Sequence, residues 1–164
     1  MDKYFLDKKT GLYKDYHLKT GKYSEIITAA NIYPYALGIS KDKEGCLKIF
    51  KDLELEYGVS AAKYRGKDDF YYQWDYSVMW GETTYLTYVA LKNVGADLEA
   101  SRVREKYLNV IRKQFELTGK LWEKYDARDG SIMNIEYDAP PFFGWTASTY
   151  QLFYQPDNEL IKIF

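Results

Sequence analysis

Gly81-Glu82-Thr83-Thr84-Tyr85-Leu86-Thr87-Tyr88-Val89-Ala90-Leu91-Lys92-Asn93 carries the pattern that decides the fold. Leu86, Val89 and Ala90 share one side of a helix, and Gly95 supplies the stop expected just past its end. Asp97 is placed to cap the next helix. That helix has an apolar stripe of Val103, Tyr107, Val110/Ile111 and Phe115, and Gly119 ends it. Two amphipathic helices joined by so short a link form a helical hairpin.

Similar signals extend in both directions. Upstream, helical character is expected from Ser24-Glu25 through Ile26, Ile27, Ala29 and Ala30, with Pro34 ending or kinking it. Ser40 reads as the N-cap of a helix whose stripe is Cys46, Ile49/Phe50, Leu53 and Tyr57, with Gly58 as its C-terminal cap. Residues 59–73 form a long polar connection with Gly66 and Asp68-Asp69, and long connections in compact domains are often functional. Downstream, Leu121–Asp126 is extended or irregular, a turn follows at Asp129-Gly130, and a last helix runs from near Trp145 to Tyr154, before Pro156. Near the start, turn signals at Lys9-Thr10-Gly11 and Lys19-Thr20-Gly21-Lys22 bracket a hairpin arm or extended loop over Leu12–Tyr16. Five helices and little strand make an all-α fold of helical hairpins, with residues 1–164 as one domain.

Composition removes several classes of function. With 23 Lys+Arg against 24 Asp+Glu the net charge is -1, so nothing draws a polyanion and no nucleic-acid role is expected. Cys46 is the only cysteine, which excludes an intrachain disulfide and fits a reducing cytoplasm. No apolar run is long enough to span a membrane, and Met1-Asp2-Lys3 leads into charged sequence rather than a signal peptide. One His and one Cys leave no zinc site, and no metal or organic cofactor is implied. His17 lies in a turn-rich polar stretch and reads as surface, so no Ser-His-Asp apparatus stands out. The 18 tyrosines need hydroxyl partners when buried, which places many at boundaries, clefts or interfaces.

Two aromatic motifs carry the chemistry. The first is Gln73-Trp74-Asp75-Tyr76-Ser77-Val78-Met79-Trp80-Gly81. The second is Glu136-Tyr137 followed by Phe143-Gly144-Trp145-Thr146. Indole faces suit the C–H surfaces of a sugar, and carboxylates hold hydroxyls or move protons. Gln73 and Asp75 could chelate sugar hydroxyls over Trp74 or Trp80; alternatively Asp75 caps the following helix and the two tryptophans anchor the core. Glu136, walled by Tyr137, Phe143 and Trp145, is either a partly desolvated acid–base group or an exposed loop glutamate.

Together the motifs resemble the trehalase family of glycoside hydrolases. Gln73, Trp74, Asp75, Trp80 and Gly81 match the family block Q-W-D-x-P-x-G-W-G/A-P, with Ser77, Met79 and Glu82 standing where it has Pro, Gly and Pro. Glu136, Tyr137, Phe143, Gly144, Trp145 and Thr146 match E-Y-x-x-Q-x-G-F-G-W-T-N-G, while Ser131 to Ile135 replace the preceding glycine run. Pro140, Phe142, Ala147 and Ser148 depart from that second block. Thr118-Gly119-Lys120-Leu121-Trp122-Glu123-Lys124-Tyr125-Asp126 is similar to the family's T-G-K-x-W-E-K-Y-D/N, and Gly11–Tyr16 to its G-x-Y-x-D-Y.

The resemblance implies a toroid of the (α/α)6 type and inverting hydrolysis of an α-glucosidic disaccharide such as trehalose. It implies that Glu136 is the general base and that Gln73, Trp74, Asp75, Trp80, Tyr137 and Trp145 line the sugar site. Twelve helices of about 11–12 residues with loops of about 4–6 need on the order of 190 residues. The 164 residues, with five helices, therefore correspond to a C-terminal segment, about half of the toroid. The family's acid, an Asp, lies upstream of that segment. A homo-oligomer, or a complex with a separate N-terminal half, is expected to cover the open inner wall. The alternative is a non-catalytic carbohydrate-binding or assembly module, favoured by the lost glycines.

Overall fold

The computed structural model describes residues 2–64, 70–141 and 144–154. Two small hairpins open the chain. One turn of helix, α1 (Asp2–Phe5), leads into β1 (Leu6–Asp7), which pairs antiparallel with β2 (Leu12–Tyr13). β3 (Tyr16–His17) pairs with β4 (Lys22–Tyr23). Gly11 and Gly21 take left-handed conformations at the two turns, where a side chain would be strained. His17 is exposed, as its setting suggested.

The helix expected from Ser24 does not start there. Residues 27–29 pair instead with 61–63: Ala29 N–H donates to Ala61 O at 2.8 Å and Lys63 N–H to Ile27 O at 2.9 Å. Tertiary pairing overrides a weak local preference. A 3₁₀ turn, Ala29–Ile32, then passes directly into α2 (Tyr33–Ala36). Pro34 thus lies in the first turn of α2, where a missing N–H is not needed, and it starts a helix rather than ending one.

α3 (Lys43–Leu53) is capped by Asp42, whose Oδ1 accepts from Glu44 N–H at 3.1 Å, and not by Ser40. It ends at Leu53, short of Tyr57 and Gly58. Glu54 and Val59 bridge across the turn, so Gly58 caps no helix. The connection that follows is less polar than its composition suggested: Val59, Ser60, Ala61 and Ala62 are buried. Gly66 and Asp68-Asp69 lie outside the described residues.

The central hairpin forms as read. α4 spans Gly81–Asn93 and α5 spans Asp97–Thr118, with Gly119 in a left-handed C-cap. Asp97 is the first helical residue rather than the cap. Its carboxylate meets Lys92 at 2.6 Å. α4 packs against α2, α5 and the last helix, α6 (Gly144–Tyr154). The main core lies between them and includes Ile32, Tyr35, Ile49, Leu53, Leu91, Val103, Tyr107 and Phe153. Among the described residues no helix is long and apolar enough to cross a membrane.

One pairing positions the site. β5 (Val78–Trp80) runs antiparallel to β6 (Lys124–Asp126), with Trp80 opposite Lys124 and Met79 opposite Tyr125. The first motif is thereby joined to the Trp122–Asp126 segment just before α4 begins. The Asp129-Gly130 turn closes the loop behind β6, with Gly130 N–H on Asp126 O at 2.8 Å.

Candidate active site

Gln73 ties the two motifs together with two bonds and holds Trp80 with a third. Its backbone N–H donates to Glu136 Oε2 at 2.8 Å, its side-chain Oε1 accepts from the Tyr137 hydroxyl at 2.8 Å, and its carbonyl accepts from Trp80 Nε1 at 2.9 Å. Residues 63 and 64 positions apart in sequence thus share one hub.

The tryptophans are layered around that hub. Trp74 stacks on Trp80 with centroids 4.7 Å apart and planes at 19°, and Trp80 meets Trp145 edge-on at 5.2 Å. Trp80 is 1 % exposed and packs on Ala61, Val78 and Met133, so it anchors a small second core beneath the site. Trp74 is 48 % exposed and offers the open aromatic face. A cleft of about 230 Å³ lies against it, bounded by Ala30, Tyr33, Ala61 and Thr83. A larger cleft of about 340 Å³ between α5 and α6 is lined by none of the motif residues.

The carboxylates divide by burial, and Glu136 takes the exposed one of its two sequence readings. Glu136 is exposed, held by its bond to Gln73 and by a left-handed backbone with φ 62°. Strained non-glycine conformations concentrate at functional positions. Phe143, read as part of its wall, lies outside the described residues, as does Phe142. Asp75 is buried and its Oδ1 accepts from Tyr76 N–H, six residues before α4, so it does not cap that helix.

Glu123 does not stand out within its sequence block, yet the fold encloses it. It is 4 % exposed and forms a 2.8 Å ion pair with Lys124, which is fully buried. The Lys124 ammonium lies 3.3 Å from the Tyr137 ring centroid and 5.4 Å from that of Trp80, so the cation is held by two aromatic faces. Trp145 Nε1 donates to Glu123 O at 3.2 Å, and Thr146 Oγ1 to Trp122 O at 2.7 Å, which clamps the segment to the start of α6. Burial, then the Glu123 carboxylate beside it, pushes the Tyr137 phenol well above its ordinary range. No local sequence signal marks this burial, because Glu and Lys are ordinarily exposed unless paired, and the pairing that encloses them is the long-range one between β5 and β6.

A further carboxyl closes the group. Glu82, in the first turn of α4, has both oxygens shut off from solvent. Burial chiefly, with a contribution from Glu123, raises its pKa above the usual glutamate value.

Sequence comparison gives this arrangement a family. The chain matches the family described as Trehalase over residues 1–156. The chain belongs to the trehalase family. It is 27% identical to a cytosolic neutral trehalase of Neurospora crassa over 171 residues, which cover 92% of this chain and 23% of that protein. It is 29% identical to a periplasmic trehalase of Salmonella newport over 143 residues, covering 85% and 25%. The chain thus spans about a quarter of the length of these curated relatives.

Solved structures agree on the architecture. Neutral trehalase Nth1 from Saccharomyces cerevisiae superposes with a TM-score of 0.75 at 23% identity, covering 99% of this chain and 30% of that one. A GH63 mannosylglycerate hydrolase from Thermus thermophilus, solved in complex with glucose, gives 0.67 at 19% identity, covering 92% and 36%. The fold is therefore part of a helical glycosidase toroid, and the chain is a partial trehalase-like glycoside hydrolase segment.

Proposed function

We propose that this segment forms one wall of a sugar site and carries the water-activating half of an inverting hydrolase acting on trehalose or a related α-glucoside. The observation that supports it most is the convergence of both motifs on Gln73, with Trp74 as an open platform and the Glu136 carboxylate bonded to the same hub. The cleft beside Trp74, at about 230 Å³, is smaller than the roughly 300–1,000 Å³ of a complete ligand pocket. That favours a site finished by another part of the toroid, which would bring the upstream general acid.

Within this wall we assign the base role to Glu123. A base that extracts a proton from water must be held in hydrogen-bond reach of it, geometry first. Glu123 is fixed in place by its main chain, which accepts from Trp145 Nε1, and by its ion pair with Lys124. Glu136, exposed and held against Gln73, is suited to grip sugar hydroxyls together with Tyr137. The family resemblance gives the base role to Glu136 instead, and its fixed left-handed backbone is the observation on that side. Gln73, Trp145, Trp80 and the buried Asp75 then support the platform from behind.

Sugar binding is tested by tryptophan fluorescence. Trehalose or glucose is expected to quench the exposed Trp74, and Trp74→Phe to remove the response. No response at millimolar sugar would contradict the reading. Binding with no hydrolysis of any glucoside would favour a carbohydrate-binding or assembly module, which the loss of the glycine run before Glu136 also favours. We place the protein in the cytoplasm on its single cysteine, Cys46, which allows no intrachain disulfide and fits a reducing compartment. Cell fractionation tests this, since the matched relatives include cytosolic and periplasmic proteins.

A further inference from the structure

Glu82 is the buried group that the sugar-site reading leaves unused. It stands where the trehalase motif has proline, so its carboxyl is an addition to the motif rather than part of it. Both oxygens are closed to solvent and find no hydrogen-bond partner among the described residues beyond the backbone N–H of Glu82 itself. The titratable groups whose charge reaches it are Tyr33 on α2, Tyr107 on α5, and Glu123 just before β6. Neither tyrosine supplies a charge to pair with it, since burial raises the pKa of both. Lys124, the cation beside Glu123, is bound to that carboxylate at 2.8 Å and enclosed by the Tyr137 and Trp80 rings, and among the described residues no cation bonds the Glu82 oxygens.

We propose that Glu82 and Glu123 form a proton-holding pair beneath the sugar site, with Glu82 the neutral member and Glu123 the ionised one. The asymmetry follows from the surroundings. Two neighbouring buried carboxyls do not both ionise readily, and the proton stays on the one without a cation. The partial positive end of α4 favours ionised Glu82 but is weaker than a full charge. Glu82 is therefore a positioning residue: while protonated, it leaves Glu123 as the single negative charge next to Lys124. When Glu82 loses its proton at higher pH, a second negative charge appears beside the base and works against the ordered pair. The functional consequence, though not the pair itself, rests on Glu123 serving the sugar site.

Carboxyl NMR on the full chain with ¹³C-labelled glutamate tests the pair directly. One carboxyl should titrate above the ordinary value of roughly 4.3. That signal should vanish in Glu82→Gln and move back towards the ordinary value in Glu123→Gln. Glu123→Gln leaves Lys124 buried without its partner, so Glu123→Gln/Lys124→Met provides the same readout in a neutral setting. A Glu82 titration at the ordinary value, or one equally raised in both Glu123 variants, would overturn the proposal. In a second arm, trehalose quenching is followed against pH. Wild-type affinity should fall above the Glu82 titration by at most about tenfold per pH unit, the limit for one proton. Glu82→Gln should hold the low-pH affinity throughout, and an unchanged pH profile in that variant counts against the pair. A chain that binds no sugar at any pH would remove the sugar-site reading, while the carboxyl titrations would still decide the pair.

Discussion

Glu136 and Glu123 show how alike two glutamates can look in sequence and how differently a fold treats them. Both sit in motifs, yet one is exposed on a strained turn and the other is enclosed with a lysine. Burial of Glu123 depends on the Trp80–Lys124 pairing across β5 and β6, a long-range contact that local patterning does not encode. Hence the identities of the aromatic residues were legible, while the ranking of the carboxylates was not. Lys124→Met should cost about 3–5 kcal/mol in urea denaturation, because it strands a buried carboxylate; Glu123→Gln/Lys124→Met should recover part of that. Glu136→Gly should behave in the opposite way. Relief of the left-handed backbone, worth about 1–2 kcal/mol, offsets the lost bond to Gln73, so stability changes little while sugar quenching is lost.

At the scale of elements, the α4–α5 hairpin was readable because its periodicity is long and its stops are glycines in left-handed caps. Ser24–Pro34 was misleading because its helical pattern was short and residues 27–29 found partners in 61–63. Of the three short strand pairs, the two N-terminal hairpins were signalled only by their turns at Lys9-Thr10-Gly11 and Lys19-Thr20-Gly21-Lys22, since two or three residues carry no period. Gly81 is where elements meet most tightly. A Cβ there would lie 2.9 Å from both Trp145 O and the Tyr107 hydroxyl and 3.0 Å from Thr149 Oγ1. One of these contacts is backbone and cannot swing away. Gly81→Ala should therefore destabilise by about 1–3 kcal/mol in denaturant unfolding, and should disturb Trp145 fluorescence by pushing α6 from α4.

For the whole molecule, the family was legible from the order of degenerate blocks rather than from any one of them. The extent of the toroid was only roughly legible, because helix count gives a minimum size and not the part represented. Phe70, Tyr72 and Trp74 lie close in sequence on one exposed stretch, each 45–49% accessible. An aromatic patch of this kind usually finds a partner. Light scattering at micromolar concentration should therefore detect association of the chain with itself or with an upstream toroid portion, and Trp74→Ser/Tyr72→Ser should weaken it. A strictly monomeric chain that ignores such a portion would contradict this.

The central claim is that Glu123 activates water at a sugar site whose acid comes from elsewhere. Hydrolysis of α-glucosyl fluoride tests it most directly, because fluoride departs without needing a proton. The purified chain should release β-glucose slowly from the fluoride and act on trehalose roughly 10²–10⁴-fold more slowly still. Glu123→Gln should abolish fluoride turnover, and Glu136→Gln should chiefly raise KM. Turnover that survives in Glu123→Gln while kcat collapses in Glu136→Gln would contradict the account.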